Sequence, residues 1–254
     1  MRTVRLTLAY DGTDFSGWQR QSGSVPGRGR RSVQECVETA LAAMHKHPVP
    51  LTGAGRTDAG VHAVGQVANF CTDIDNIDTG RFVPALNSLL PGDIRVTEAR
   101  ETIPDFHARF DASSRTYRYR FVCARQILPH ESRYALHLRR RPNVALLNRY
   151  CRHLLGEHDF STFAAAGDSS KSKVRHVTKA VFYPESDSLI FEISANAFLW
   201  KMVRSVAGTL LHRESLATPP EALRRALEAG NRKLAGPTLP PQGLFLWKVD
   251  YYRG

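Results

Sequence analysis

Strand patterns and amphipathic helix patterns alternate in both halves of this chain. Residues 3–10 alternate apolar and polar side chains and end at the turn pair Asp11-Gly12. Residues 115–123 and 189–195 show the same alternation, and residues 177–183 precede a turn that makes them a predicted hairpin partner of the last strand. Interleaved strands and helices of this kind indicate an α+β or α/β fold.

Helix signals follow each group of strands. Ser32 and Glu35 form a capping box, and apolar positions on one stripe predict a helix through Met44. Three further helices are predicted, from Asn143 to Leu155, over residues 199–212, and from a second capping box at Thr218 to Gly230.

The positive charge is concentrated in one section of the chain. The sequence has 35 Lys+Arg against 24 Asp+Glu, a formal net charge of +11. Residues 101–150 alone hold ten arginines, no lysine and four acids. Arginine suits bidentate contact with phosphate and stacking on bases, so a nucleic acid is a candidate partner. A solvated arginine-rich surface is the alternative.

Several classes of protein are excluded by what the sequence lacks. No run approaches the ~18 apolar residues that a membrane span needs, and the first residues have no apolar core of a secretory signal. The cysteines Cys36, Cys71, Cys123 and Cys151 lie far apart without a C-x-x-C pair, so neither a zinc ribbon nor a disulfide framework is indicated. We expect a soluble protein of a reducing compartment, the cytoplasm.

Residues 53–67 have a composition typical of a catalytic or ligand-binding loop. Four glycines surround Arg56, Asp58 and His62 there, and glycine lets the backbone approach a ligand closely. Arg56 beside Asp58 would keep the carboxylate ionised. The alternative is a turn in which Asp58 caps a backbone N–H. His62 has no partner at metal-ligand spacing and is interpreted as a packed or hydrogen-bonded histidine.

Two further residues are candidates for a site. Tyr117 lies on an alternating strand among arginines and offers a ring on which a base can stack, with a core position as the alternative. Arg204 projects away from the apolar stripe of its helix, either into solvent or into a site.

Several motifs together resemble the tRNA pseudouridine synthase A family. The most specific are GRTDAGVHA at 55–63 and the late F-x-x-x-M-V-R at 198–204, within NAFLWKMVRSVAGTLL. The other matches follow the family order over nearly the whole chain: YDGTDFSGWQRQ at 10–21, SVQECVETAL at 32–41, LPGDI at 90–94, FHARFDA at 106–112, RTYRY at 115–119, GEHDFSTF at 156–163 and GLFLWKVDY at 243–251.

This resemblance implies a fold and a reaction. The fold is α+β, with two ferredoxin-like or RRM-like halves and a central antiparallel sheet flanked by helices. Residues 1–104 would form the half with the aspartate loop, and residues 105–254 the half with the tyrosine strand and the arginine helix. The reaction is isomerisation of uridine to pseudouridine at positions 38, 39 and 40 of the tRNA anticodon stem-loop, by a homodimer without cofactor or metal.

The resemblance also implies roles for individual residues. Asp58 corresponds to the catalytic aspartate, acting as nucleophile at C1′ or as base at the 2′ position. Arg204 corresponds to the arginine that pairs with this aspartate, and Tyr117 to the tyrosine that stacks on the target base. Arg56 corresponds to the residue that takes the place of the flipped base. Arg20, Arg115, Arg118 and Arg120 are predicted to contact the RNA backbone.

The chain departs from the family pattern at two places. Many relatives have a histidine where this chain has Lys201, after Trp200, which leaves the contacts around the predicted site open. The segment Gly23–Arg31 is longer than expected and is either an RNA-binding arm or a neutral insertion. Two other functions stay open on the residues alone, a non-catalytic RNA-binding protein and an N-glycosidase.

Overall fold

The computed structural model describes residues 1–20 and 31–252. The predicted arm or insertion at Gly23–Arg31 therefore lies, except for Arg31, outside the described residues. Packing divides the chain into two compact units. The first unit comprises Met1–Ser113 with Phe245–Gly254, and the second comprises Ser114–Leu244. The predicted domains 1–104 and 105–254 stay a prediction, because compact packing does not test which part folds independently.

The first unit contains a mainly antiparallel set of strands and two helices. Its strand order is β4-β1-β3-β10, in which β1 pairs antiparallel with β3 and β4, and β10 pairs parallel with β3. The short β2 pairs with the other end of β3. The elements are β1 (Arg2–Tyr10), α1 (Val33–His45), β2 (Thr52–Gly53), β3 (His62–Thr72), α2 (Phe82–Leu89), β4 (Ile94–Thr102) and β10 (Leu244–Tyr251).

The predicted first strand and first helix are confirmed. Val4, Leu6 and Leu8 are fully buried on one face of β1, as the alternation indicates. Ser32 and Glu35 form the predicted capping box at the start of α1, with each side chain bonded to the other residue's backbone N–H.

The second unit is built around a hairpin. Its strand order is β5-β9-β8-β7, with antiparallel pairing at each step, and β6 pairs parallel with β5. The predicted hairpin is β8 with β9, joined at Ser186, which has φ 51°. The elements are β5 (Ala112–Cys123), β6 (Leu136–Leu138), α3 (Val144–Cys151), β7 (Gly156–Asp159), β8 (Val174–Glu185), β9 (Ser188–Ala195), α4 (Met202–Ser215) and α5 (Glu221–Glu228).

Two helix predictions need correction. The helix predicted from residue 199 begins at Met202, because Lys201 has φ 60° and Met202 N closes a turn on Leu199 O. The second capping box is wrong, since α5 follows Pro220 without a side-chain cap. The Thr218 hydroxyl instead donates to the Arg213 carbonyl at 3.2 Å.

The predicted α+β fold class is confirmed by this arrangement of helices on mainly antiparallel strands in each unit. Among the described helices, none combines the length and apolar character needed to cross a membrane.

Candidate active site

The loop that carries Asp58 connects β2 to β3 and is fixed by backbone contacts to the loop after β1. Asp58 forms an isolated antiparallel bridge with Gly17. Trp18 N donates to Thr57 O at 3.0 Å, and Val61 N donates to Asp58 O at 3.1 Å. The two motifs YDGTDFSGW and GRTDAGVH, about 40 residues apart in sequence, therefore fold against each other, and the Asp58 side chain is half-buried.

Two glycines make this close approach possible. Gly17 has φ +110°, and a Cβ atom there would lie 2.6 Å from the Thr57 carbonyl oxygen. At Gly12 a Cβ atom would lie 2.0 Å from the Val61 carbonyl oxygen. Both distances are too short for any side chain, so the backbone beside Asp58 requires glycine at these positions.

Buried polar contacts hold the rest of the loop. The Tyr10 hydroxyl lies 2.8 Å from Thr57 Oγ1, and both side chains are buried. Burial raises the pKa of Tyr10, so its phenol stays neutral at physiological pH. Gln66 Nε2 donates to Gly55 O at 2.8 Å. These contacts fix the residues on both sides of Arg56.

Arg56 is exposed and is oriented by a chain of side-chain amides. Its Nε donates to Gln19 Oε1 at 3.1 Å, and Gln19 Nε2 donates to Gln34 Oε1 at 2.7 Å. Gln34 lies on α1, so the guanidinium of Arg56 is tied to that helix through Gln19. Arg20 lies beside the same chain, where its backbone N donates to Gln34 Oε1 at 3.1 Å.

His62 is a packed histidine, as interpreted from sequence. It is 1% exposed, and its Nδ1 accepts a hydrogen bond from Gly12 N at 3.0 Å. Its ring stacks on Phe245, with centroids 4.7 Å apart. His62 therefore supports the Gly12 turn and the parallel pairing of β10 with β3.

Tyr117 and Arg204 belong to the second unit. Tyr117 lies in the middle of β5 opposite Ile193, and it is 8% exposed. The ring of Phe198 packs edge-on against it, with centroids 5.1 Å apart at 84°. This contact fixes the plane of the Tyr117 ring.

Arg204 lies in the first turn of α4 and is held to the segment before β10. Its Nε donates to Leu239 O at 2.7 Å, while Leu239 N donates to Arg204 O at 3.2 Å. The Arg204 charge also acts on Tyr119, where burial raises the pKa of the phenol and the guanidinium partly opposes that rise. Arg204 is thus a partly buried, oriented cation.

Sequence reasoning missed Asp168, which fixes the start of α4. Asp168 Oδ2 accepts from Trp200 N at 2.6 Å, and Oδ1 accepts from Ser170 N at 2.9 Å and from Lys173 Nζ. Burial alone would raise the pKa of Asp168, but the hydrogen bonds from Lys173, Trp200 and Ser170 outweigh it and hold that pKa well below its usual range. The pair Asp168-x-Ser170 is a turn signal, but its contact with Trp200 is invisible in sequence.

The arginines predicted to contact RNA differ in their surroundings. Arg20 is the most exposed, with 64% of its side chain accessible and Glu38 Oε2 at 3.4 Å. Arg115 is 8% exposed and donates to Asn196 O at 2.8 Å. Arg118 and Arg120 contact carboxylates within their own unit: Arg118 Nε lies 2.6 Å from Glu192, and Arg120 Nη2 lies 3.1 Å from Glu131.

Comparison with known proteins defines the class of enzyme. The family model for tRNA pseudouridine synthase matches residues 7–111 and 150–252. This chain belongs to that family, and it is an isomerase that acts on tRNA.

Relatives with the name tRNA pseudouridine synthase A match over most of their length. The protein of Treponema denticola is 52% identical over 98% of this chain and 93% of its own. The protein of Treponema pallidum strain Nichols is 49% identical over 93% of this chain and 84% of its own. The protein of Bacillus pumilus is 42% identical over 98% of both chains. A solved chain from a Cbf5-Nop10-Gar1 complex aligns with a TM-score of 0.33 at 10% identity, covering 82% of this chain and 53% of that one.

Proposed function

We propose that this enzyme isomerises uridine to pseudouridine at positions 38, 39 and 40 of the tRNA anticodon stem-loop, with Asp58 as the catalytic group. The observation that carries the proposal is the way Asp58 is held. Asp58 is half-buried in a loop whose backbone is fixed by the bridge to Gly17 and by the Trp18–Thr57 hydrogen bond. A rigidly held acid in a glycine-lined loop suits a reaction that depends on positioning.

The chemistry needs one ionised carboxylate and consumes no water. The N1–C1′ bond breaks, the uracil turns, and a bond forms between C5 and C1′. C5 then loses its proton and N1 gains one, so the product is an isomer of the substrate. Asp58 either attacks C1′ and is later displaced by C5, or removes a proton from the 2′ carbon as the N1–C1′ bond breaks and returns it when C5 bonds to C1′.

Three residues complete the proposed site. Arg204 pairs with Asp58 and keeps it ionised, and its hydrogen bond to Leu239 O supports this role by fixing its Nε. Tyr117 stacks on the target base, and its contact with Phe198 supports this by setting the ring plane. Arg56 occupies the place of the flipped base, which suits an exposed guanidinium oriented by Gln19.

The RNA backbone is bound by arginines. Because Arg20 has the most exposed side chain of the four predicted arginines, we expect it to make the largest contribution to RNA binding. Arg115, Arg118 and Arg120 already use part of their hydrogen-bonding capacity on intramolecular partners, so we expect a smaller contribution from each. The proposal includes a cytoplasmic homodimer, which sedimentation velocity tests as a species of about twice the 28.4 kDa chain mass.

The proposal is tested with tRNA that carries tritium at C5 of uridine. We expect the protein to release tritium into water. Dialysis of the protein against a chelator should leave this release unchanged. Three transcripts that each retain a single uridine, at position 38, 39 or 40, assign the release to positions. Release only from a transcript that lacks all three uridines contradicts the proposed specificity, and free uracil as product contradicts isomerisation.

A further inference from the structure

An open basic cleft lies at the end of β5 in the second unit. None of the residues proposed for the chemistry lines it. The cleft has a volume of about 670 Å³ and is lined by Arg125, Gln126, Ile127, His137 and Arg139. It lies in residues 112–149, between the two segments that the family model matches.

The parallel pairing of β5 and β6 builds this cleft. Cys123, the last residue of β5, pairs with Leu138, the last residue of β6. Arg125 and Arg139 therefore both follow the carboxyl ends of adjacent parallel strands. His137 Nε2 donates to Ala124 O at 2.7 Å and so ties the two strand ends together.

The two arginines of the cleft differ from neighbouring arginines in having no carboxylate partner in the part of the chain that the structure describes. Arg118, Arg120 and Arg140 each lie against a carboxylate, and Arg140 holds Glu214 with both of its terminal nitrogens. Within residues 1–20 and 31–252, Arg125 and Arg139 have neither an ion-pair nor a hydrogen-bond partner. Two neighbouring cations without a protein anion repel each other, and a bound anion removes that repulsion.

We propose that this cleft binds the sugar-phosphate backbone of the tRNA at a place separate from the target nucleotide. Phosphate oxygens accept from both guanidinium groups, and Gln126 supplies an additional polar side chain beside them. The inference rests on the proposed function, since it takes Tyr117 as the place of the target base.

The strand sets the distance between the two contacts. Cys123 lies six positions after Tyr117 on β5, which at ~3.3 Å per residue is about 20 Å. One duplex step is about 3.4 Å along the helix axis, so a stem lying along β5 reaches the cleft about six base-pair steps from the target. A shorter hairpin does not reach it.

The test compares two RNAs and three variants. The RNAs are full-length tRNA and a hairpin whose stem ends three base pairs from the target uridine. The variants are Arg125→Gln/Arg139→Gln, its charge-retaining form Arg125→Lys/Arg139→Lys, and a control, Arg152→Gln/Arg224→Gln. The control also removes two positive charges, but from exposed positions elsewhere in the second unit.

We expect the double glutamine variant to weaken full-length tRNA binding about tenfold in a filter-binding assay. The slope of log K against log salt falls by about 1.8, the value for two lost phosphate contacts. Binding of the short hairpin and kcat for tritium release stay unchanged. The lysine variant restores most of the affinity, and the control changes neither RNA.

An unchanged Kd for full-length tRNA overturns the inference, as does an equal loss in the control or with the short hairpin. The proposed function is tested apart from this, because binding is measured without turnover. A wild-type protein that forms no pseudouridine in the anticodon arm contradicts the proposed function, whatever the cleft variants do.

Discussion

Gly17 and Asp58 form an antiparallel backbone bridge, and Gly17 adopts φ +110° to make it. A Cβ atom on residue 17 would meet the Thr57 carbonyl oxygen at 2.6 Å. The geometry of the proposed catalytic aspartate thus depends on a glycine 41 positions earlier in the sequence.

Gly17→Ala tests this dependence. We expect a loss of about 2–4 kcal/mol in unfolding free energy, because the left-handed conformation and the backbone clash are both unfavourable for alanine. Activity falls with it at temperatures where the protein stays folded. Urea denaturation measures the stability, and Gly80→Ala, where a Cβ atom meets nothing within 4 Å, is the matched control. Equal stability of the two variants would contradict the account.

The buried hydrogen bond between Tyr10 and Thr57 supports the same loop. Tyr10→Phe and Thr57→Val each leave one polar atom buried without its partner, and each costs about 1–3 kcal/mol of stability. The double variant loses less than the sum, since it removes both atoms. A double-mutant cycle measured by urea denaturation checks the coupling, and strict additivity would show that the two hydroxyls act independently.

Asp168 positions the segment before Arg204 through its bond to Trp200 N. Asp168→Ala lowers kcat for tritium release by about tenfold or more, because a small displacement of an oriented group is costly in rate. Lys173→Met removes a partner of Asp168 but keeps the Trp200 bond, so kcat changes less. In an Arg204→Lys background, Asp168→Ala should have little further effect on kcat. A full, multiplicative loss there argues for a general structural role instead.

Glu214 makes stability depend on pH. The hydrogen bond from Arg140 lowers the pKa of Glu214 and exceeds the opposing effect of burial. A carboxyl with a lowered folded-state pKa stabilises the protein above its unfolded pKa, about 4.3, and this contribution is lost as pH falls through the folded value.

Glu214→Gln should therefore lower Tm at pH 7, by about 2–6 °C for a loss of 1–2 kcal/mol. The gap in Tm between wild type and variant narrows below about pH 4. Calorimetric scans between pH 7 and pH 3 check this, and Glu157→Gln, at an exposed position, is the control. A gap that stays constant over this range would show that the charge of Glu214 does not stabilise the fold.

Local sequence signals predicted much of the fold. The alternation in β1, the capping box at Ser32 and the β8–β9 hairpin each depend on residues close together in the chain, and each is confirmed. The second capping box at Thr218 failed because that hydroxyl donates to the Arg213 carbonyl near the end of α4 and lies 3.2 Å from the Tyr150 hydroxyl. A local capping preference is overridden where the folded chain offers the side chain another hydrogen-bond partner.

The site was predictable only in part. The glycines around Asp58 marked a close backbone approach, but the sequence could not identify Gly17 as the residue approached. The contact of Asp168 with Trp200 joins residues 32 apart, and the left-handed Lys201 between β9 and α4 has no local signal. Such contacts are set by the topology of the chain, which brings together loops that are distant in sequence.

Tritium release by Asp58→Asn tests the central claim most directly. Asparagine keeps the size of the side chain and removes its charge, so tRNA binding by filter assay stays near the wild-type value while release falls at least about a thousand-fold. Asp14→Asn, an exposed change in the neighbouring motif, keeps wild-type release. Release by Asp58→Asn within about tenfold of wild type would contradict the assignment of Asp58 as the catalytic group.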